Sequence, residues 1–185
     1  SFVVLTEAVA KPQFTVTTVI TEKGVPLRKL ETALPHPLAR EEDAETVRRQ
    51  LDLQHDEALR RLKTARRPFI VAGGGVHYSE ATEAVAEFAS RHGIPVAETQ
   101  AGKGALAFDH PCNAGGLGVT GSSAANRLLA ESDLVLALGT RLQDFTTESG
   151  RLIRDFDDRL VSINVARHDA IKRGALAMRG DVLAT

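Results

Sequence analysis

The order of apolar runs and amphipathic stretches from Pro68 onward predicts an α/β domain with a doubly wound, mostly parallel sheet and helices on both faces. Two observations carry this. Short apolar runs of four to six residues recur at Phe69–Ala72, Ile94–Ala97, Asp133–Leu138 and Leu160–Val165, each ending in glycine or polar residues. Between several of them lie segments of helical period, notably Ser79–His92 and Gly121–Glu131. Strands alternating with helices imply right-handed crossovers and a parallel sheet.

Each element has a local signature. Pro68 opens the first run, and Gly73-Gly74-Gly75 ends it. In the helix that follows, Ala81, Val85, Phe88 and Ala89 form one stripe, Ser79 with Thr82 and Glu83 is expected to cap the start, and Gly93 to close it. Ser122 or Ser123 starts the next helix. Leu176–Met178, before Gly180-Asp181, reads as a last short strand.

Upstream, Arg40–Ala65 predicts a charged helix with a thin stripe at Val47, Leu51, Leu59 and Leu62. Its acids come early and its arginines late, which suits the helix dipole. Residues 1–39 are expected to be a linker or the remnant of a preceding domain, and 40–185 the domain itself. Within the first segment, Phe14–Ile20 is β-branched and predicts a strand, Lys23-Gly24 and Pro26 a turn, and Pro35-His36-Pro37 an extended spacer.

Composition bounds the function. The chain has 185 residues, a net charge of -1, 43% hydrophobic and 25% charged residues. That is ordinary globular composition and not disorder. Nucleic-acid binding would need a basic excess, and aromatics at 4% leave little for stacking bases. No apolar run approaches the roughly 20 residues that span a bilayer. Cys112 is the only cysteine, so no intrachain disulfide forms, and a reducing, cytoplasmic setting is expected. The start at Ser1, not Met, fits processing or an excised fragment.

Ligands of open α/β sheets bind beyond the carboxyl ends of the strands, and four such segments carry suggestive residues. Gly73-Gly74-Gly75-Val76-His77-Tyr78 is either a close approach to a phosphate or flavin, or a tight strand-to-helix turn. Gly116-Leu117-Gly118-Val119-Thr120-Gly121 fits G-x-G-x-x-G and opens a helix. No clear strand precedes it and no acid about 20 residues on is placed for a ribose, so close packing is the competing reading. Arg141, in Gly139-Thr140-Arg141-Leu142-Gln143-Asp144, either meets a phosphate or carboxylate or pairs with Asp144, Asp157 or Asp158. In Glu98-Thr99-Gln100-Ala101-Gly102-Lys103-Gly104, which is not a P-loop, Gln100 and Lys103 are candidates to face a ligand. No H-E-x-x-H, cysteine pair or G-x-S-x-G is present. Cys112, near His110, reads as passive.

Taken in order, PFIVAGGGVHYSEAT, IPVAETQAGKGAL, GGLGVTGSSAAN, DLVLALGTRLQDFTT, SINVARHDAIKRGA and Gly180-Asp181 resemble the central domain of thiamine-diphosphate enzymes of the acetolactate synthase type. The wording PVAETQAGKG and GTRLQDFTT is most similar to the hydrolase branch of myo-inositol catabolism, whose members open trihydroxycyclohexane-1,2-dione to 5-deoxyglucuronic acid. The similarity covers roughly residues 60–185. It implies a three-domain parent, a homodimer or homotetramer, that uses thiamine diphosphate and magnesium. A neighbouring pyrimidine-binding domain carries the activating Glu, and a pyrophosphate-binding domain carries G-D-G and a later Asn. Gly180-Asp181-Val182 is not that motif, so no catalytic or metal residue is assigned here and the fragment alone is expected to be inactive. By position, Gly73, Gly74, Gly116, Gly118, Gly121 and Arg141 would line a vestigial nucleotide site, and Gln100 and Lys103 would be substrate-proximal. The alternative implied by the resemblance is an FAD- or ADP-binding module. Flavin-holding relatives tend to have Phe-Asp-Asp after the arginine, where this chain has Leu142-Gln143-Asp144. The chain's length is that expected of one domain cut from a protein about three times longer.

Overall fold

The computed structural model describes residues 3–8, 14–22, 25–34, 41–153 and 156–185. It divides into two compact units, Ser1–Asp52 and Leu53–Thr185.

The first unit holds three antiparallel strands in the order β1-β2-β3: β1 (Val3–Ala8), β2 (Phe14–Glu22) and β3 (Val25–Leu34). The strand expected at Phe14–Ile20 is the middle one. Its neighbours were not foreseen, because VVLTEA and VPLRKLETAL mix polar and apolar residues without strict alternation. Pro26 is accommodated near the start of edge strand β3, opposite Thr21. Lys23-Gly24 and the Pro35–Pro37 spacer lie outside the described residues.

Helix α1 (Glu41–Thr64) runs across the boundary between the units. In its described second half the buried side is Ala58 with Leu62, one residue away from the predicted Leu59, which is exposed. Asp133 holds the exit from α1: its two carboxylate oxygens accept the Arg66 and Arg67 N–H at 2.8 and 2.9 Å. Burial pushes this carboxyl up, but the two backbone N–H groups and the Arg67 charge outweigh it and hold it below its ordinary value.

The second unit is built on a six-stranded parallel sheet. Its strands are β4 (Pro68–Ala72), β5 (Val96–Glu98), β6 (Asn113–Gly116), β7 (Leu134–Leu138), β8 (Leu160–Asn164) and β9 (Leu176–Arg179), in spatial order β6-β5-β4-β7-β8-β9. Renumbered within the unit, that is 3-2-1-4-5-6, the order of dinucleotide-binding sheets. Alternation puts Phe69, Val71, Val135, Ala137 and Leu160 on one face, and Ile70, Ala72, Leu134, Leu138 and Val161 on the other. Helix α3 (Thr82–His92) covers the second face with Val85 and Ala89, and α4 (Ser123–Glu131) covers the first with Ala125 and Leu129. Each fully buried aliphatic or aromatic side chain contributes about 1.5–3 kcal/mol. The predicted doubly wound sheet is therefore present.

Three local expectations change. Helix α3 starts three residues later than predicted, with Ala81 at its cap and no side-chain bond there. Ser79 is engaged elsewhere, donating to Asp181 Oδ2 at 2.8 Å and accepting the Val182 N–H. A strand, β6, does precede Gly116-Leu117-Gly118, although Asn-Ala-Gly-Gly has no β propensity of its own. Other signals read correctly: Gly93 closes α3 at φ 64°, and Ser122 caps α4 by accepting the Ala125 N–H.

Candidate functional site

The carboxyl edge of the sheet carries two loop systems, one after β4 and β5 and one after β6 and β7. Each is positioned by a side chain that bonds backbone.

In the first, Gly73-Gly74-Gly75 leads into α2 (Gly74–Tyr78), a helix of five residues. The turn packs on the end of β7. The Gly75 N–H donates to Gly139 O at 3.0 Å, and a Cβ at Gly73 would lie 2.4 Å from that same oxygen. The absent side chain at Gly73 is thus required by backbone meeting backbone. After β5, Glu98 is only 8% exposed. Its Oε1 accepts the N–H of Gly104 at 3.1 Å and of Leu106 at 3.0 Å. Thr99 adds a second latch, its Oγ1 accepting the Gly102 N–H at 3.1 Å. The loop so folded lies against α2: His77 Nε2 is 3.1 Å from Lys103 O. A carbonyl only accepts, so that nitrogen carries the ring proton. Gln100, Lys103, His77 and Tyr78 are exposed beside one another on these two segments.

In the second system, Gly118 is buried at φ 98°, and a Cβ there would lie 2.4 Å from Phe145 O. Gly121 folds back on Gly116, whose carbonyl a Cβ at Gly121 would approach to 2.6 Å, while Gly116 itself has room. Asn126 in α4 clamps the turn. Its Oδ1 accepts the Gly118 N–H, and its Nδ2 donates to Gly118 O and to Glu148 Oε1, all at 3.0 Å. The Val119 N–H reaches Phe145 O at 3.0 Å, which ties the loop to the segment after β7. Arg141 is exposed there, with no hydrogen bond or ion pair among the described residues. Asp144 pairs with Arg173 at 2.9 Å. Thr140 and Asn164 close the base of the loop, Asn164 Nδ2 donating to Thr140 O.

The structure brings Gln100 and Lys103 together with His77 and Tyr78, and Gly116, Gly118 and Gly121 together with the segment that follows Arg141. The residues missed in the sequence are Glu98, Thr99 and Asn126. A carboxylate ending an apolar strand was the one available signal for Glu98. The Cys112 thiol donates to Ala89 O and the Cys112 N–H to His110 Nδ1. That leaves His110 Nε2 as the donor to Ser90 Oγ, so the imidazole does not activate the hydroxyl. An apolar cavity of about 240 Å³ lies between α1, α3 and the sheet, lined among others by Leu62, Phe88, Leu136 and Ile163, and it brings no catalytic groups together. Among the described residues, no three His, Cys, Asp or Glu side chains form a metal site, and Asp181 is occupied by Ser79 and the Leu183 N–H. These residues do not fit a magnesium diphosphate. No helix among the described residues is long and apolar enough to cross a membrane.

Comparison with known proteins agrees with this architecture. The family described as "Thiamine pyrophosphate enzyme, central domain" matches residues 55–185. The 3D-(3,5/4)-trihydroxycyclohexane-1,2-dione hydrolase of Clostridium perfringens is 44% identical over 128 residues, 69% of this chain and 20% of that protein. The enzyme of the same name from Geobacillus thermodenitrificans is 43% identical over 138 residues, 74% of this chain and 21% of that protein. The chain therefore spans about a fifth of the length of these curated relatives. With a sheet of this order and a family match over all but the first two residues of its second unit, the chain belongs to the thiamine pyrophosphate enzymes and carries their central domain.

Proposed function

We propose that this domain serves a thiamine-diphosphate- and magnesium-dependent hydrolase that opens the ring of trihydroxycyclohexane-1,2-dione to 5-deoxyglucuronic acid in the cytoplasm. The observation that carries the reading is the 44% identity to enzymes of that name over more than two thirds of the chain. The domain's task is to brace neighbouring pyrimidine- and pyrophosphate-binding domains within a homodimer or homotetramer. It contributes no cofactor-activating group: the one buried acid among the described residues, Glu98, accepts backbone N–H groups of its own loop. Gln100 and Lys103 reach the substrate from a loop fixed at both ends. An amide and an ammonium are hydrogen-bond donors suited to a ring rich in hydroxyl and carbonyl oxygens. The glycines and Arg141 are the remnant of a nucleotide site.

The test is turnover of the cyclic dione with thiamine diphosphate and magnesium. The full-length parent should open the ring and the 185-residue chain should not. Turnover by the chain alone, or a parent inactive on this dione, contradicts the proposal. In the parent, Lys103→Ala should raise KM or lower kcat by about tenfold, the loss of one hydrogen bond to substrate. Unchanged kcat and KM remove the loop from the substrate site.

A further inference from the structure

A dinucleotide crevice in a sheet of order 3-2-1-4-5-6 uses three parts. A glycine turn follows the first strand, a helix N-terminus receives the pyrophosphate, and a carboxylate ending the second strand binds a ribose hydroxyl. Two of these positions exist here, Gly73–Gly75 after β4 and Glu98 ending β5, while α2, at five residues, is too short to serve as the third. Each is already in contact with the chain's own segment Thr99–Leu106. The Glu98 carboxylate accepts the N–H of Gly104 and Leu106. The Thr99 N–H donates to Ala72 O at 2.9 Å, and Gly102 lies so close over the end of β4 that a Cβ there would come within 2.2 Å of Ala72 O. A Cβ on Gly74, the first residue of α2, would sit 3.2 Å from the Ala101 side chain, and His77 bonds Lys103 O.

We propose that Thr99–Leu106 is a built-in occupant of the dinucleotide crevice, latched by Glu98 as its positioning residue, so that the domain takes no adenine dinucleotide. The loop's amides bond to Glu98 where ribose hydroxyls would, and its backbone at Gly102 fills the space over β4 that a pyrophosphate needs. This goes beyond the proposed reaction and does not depend on it. It also accounts for glycines without a ligand, since Gly73 and Gly102 both admit neighbouring backbone.

The experiment uses the 185-residue chain. Equilibrium dialysis against FAD, NAD and ADP should give no saturable binding tighter than about 1 mM. Hydrogen exchange should show the Gly104 and Leu106 amides protected. In Glu98→Ala they should exchange at least about tenfold faster while those of Ile70 and Leu136 stay as they were. Glu98→Gln keeps an acceptor oxygen at the same place, and should speed the same two amides by a smaller factor. Micromolar binding of any of the three nucleotides by the unaltered chain overturns the proposal. So does exchange at Gly104 and Leu106 that neither substitution alters. If Glu98→Ala does not fold, Glu98→Gln and the dialysis of the unaltered chain decide the matter.

Discussion

The two glycine-rich loops at the carboxyl edge look alike as sequence and are held differently. The Gly102 loop is latched by the buried carboxylate of Glu98, and the Gly118 loop by the half-buried amide of Asn126. A carboxylate only accepts, so Glu98 gathers two N–H groups of one strand-following turn. An amide both donates and accepts, so Asn126 grips the N–H and carbonyl of one residue and adds Glu148. In both, a glycine stands where backbone approaches backbone, which is a different use from the approach of backbone to phosphate. The G-x-G-x-x-G spacing does not distinguish the two uses; the neighbour of each missing Cβ does.

The largest effect that sharpens this comparison is Gly118→Ala. It forces a Cβ to 2.4 Å from Phe145 O at a left-handed φ, and should cost about 3 kcal/mol or more. Gly116→Ala, with its nearest neighbour at 3.9 Å, should cost under about 1 kcal/mol. Equal losses in urea unfolding would break the claim that packing chose these glycines.

Asn126→Ala comes next. It strands a buried Gly118 N–H and should cost about 1–3 kcal/mol. Urea melts of Asn126→Asp should show a loss at least as large, since the donor to Gly118 O is gone and a second carboxylate then faces Glu148 Oε1.

Acid titration separates latches by charge. Asp133 and Glu57 both have carboxyls held below their ordinary values, Glu57 down to about 2 by hydrogen bonds from Arg60 and Arg61. A lowered carboxyl stabilises the fold above its unfolded value and loses that contribution as pH falls toward the folded one. Stability should thus decline from about pH 4.5 downward, with the Glu57 part small because Arg60 is exposed and Glu57 itself is open to solvent. Asp133→Asn should flatten the Asp133 part of the decline. A decline just as steep in that variant would remove Asp133 from the account.

The smallest effect is Lys103→Ala in the chain itself. Its side chain is exposed, so stability should change by less than about 0.5 kcal/mol. A larger loss would mean that the side chain, and not only its carbonyl, holds the loop.

The fold was largely legible because buried strands such as Phe69–Ala72 and Leu134–Leu138 are apolar throughout, and because Gly93 and Ser122 mark helix ends. Strand β6 was not legible, since Asn113–Gly116 becomes a strand only by pairing with β5. Of the candidate site, Gln100 and Lys103 were singled out because they follow a strand, and they lie exposed beside His77 and Tyr78. Glu98 and Asn126 were not, because their partners are backbone amides 6 to 8 residues away, and backbone partners leave no mark in residue types. Asp144 turned toward Arg173, 29 residues on, and that pairing depends on where β9 docks.

The most direct measurement is the melting temperature of Gly102→Ala beside Gly104→Ala. Gly102 lies over Ala72 O, whereas a Cβ at Gly104 would meet only His77 Cε1 at 4.0 Å, and the position has a left-handed φ of 86°. Gly102→Ala should lose about 3 kcal/mol, or roughly 6–12 °C, and Gly104→Ala about 1–2 kcal/mol. Equal melting temperatures would place the Thr99–Leu106 loop away from β4 and contradict the account.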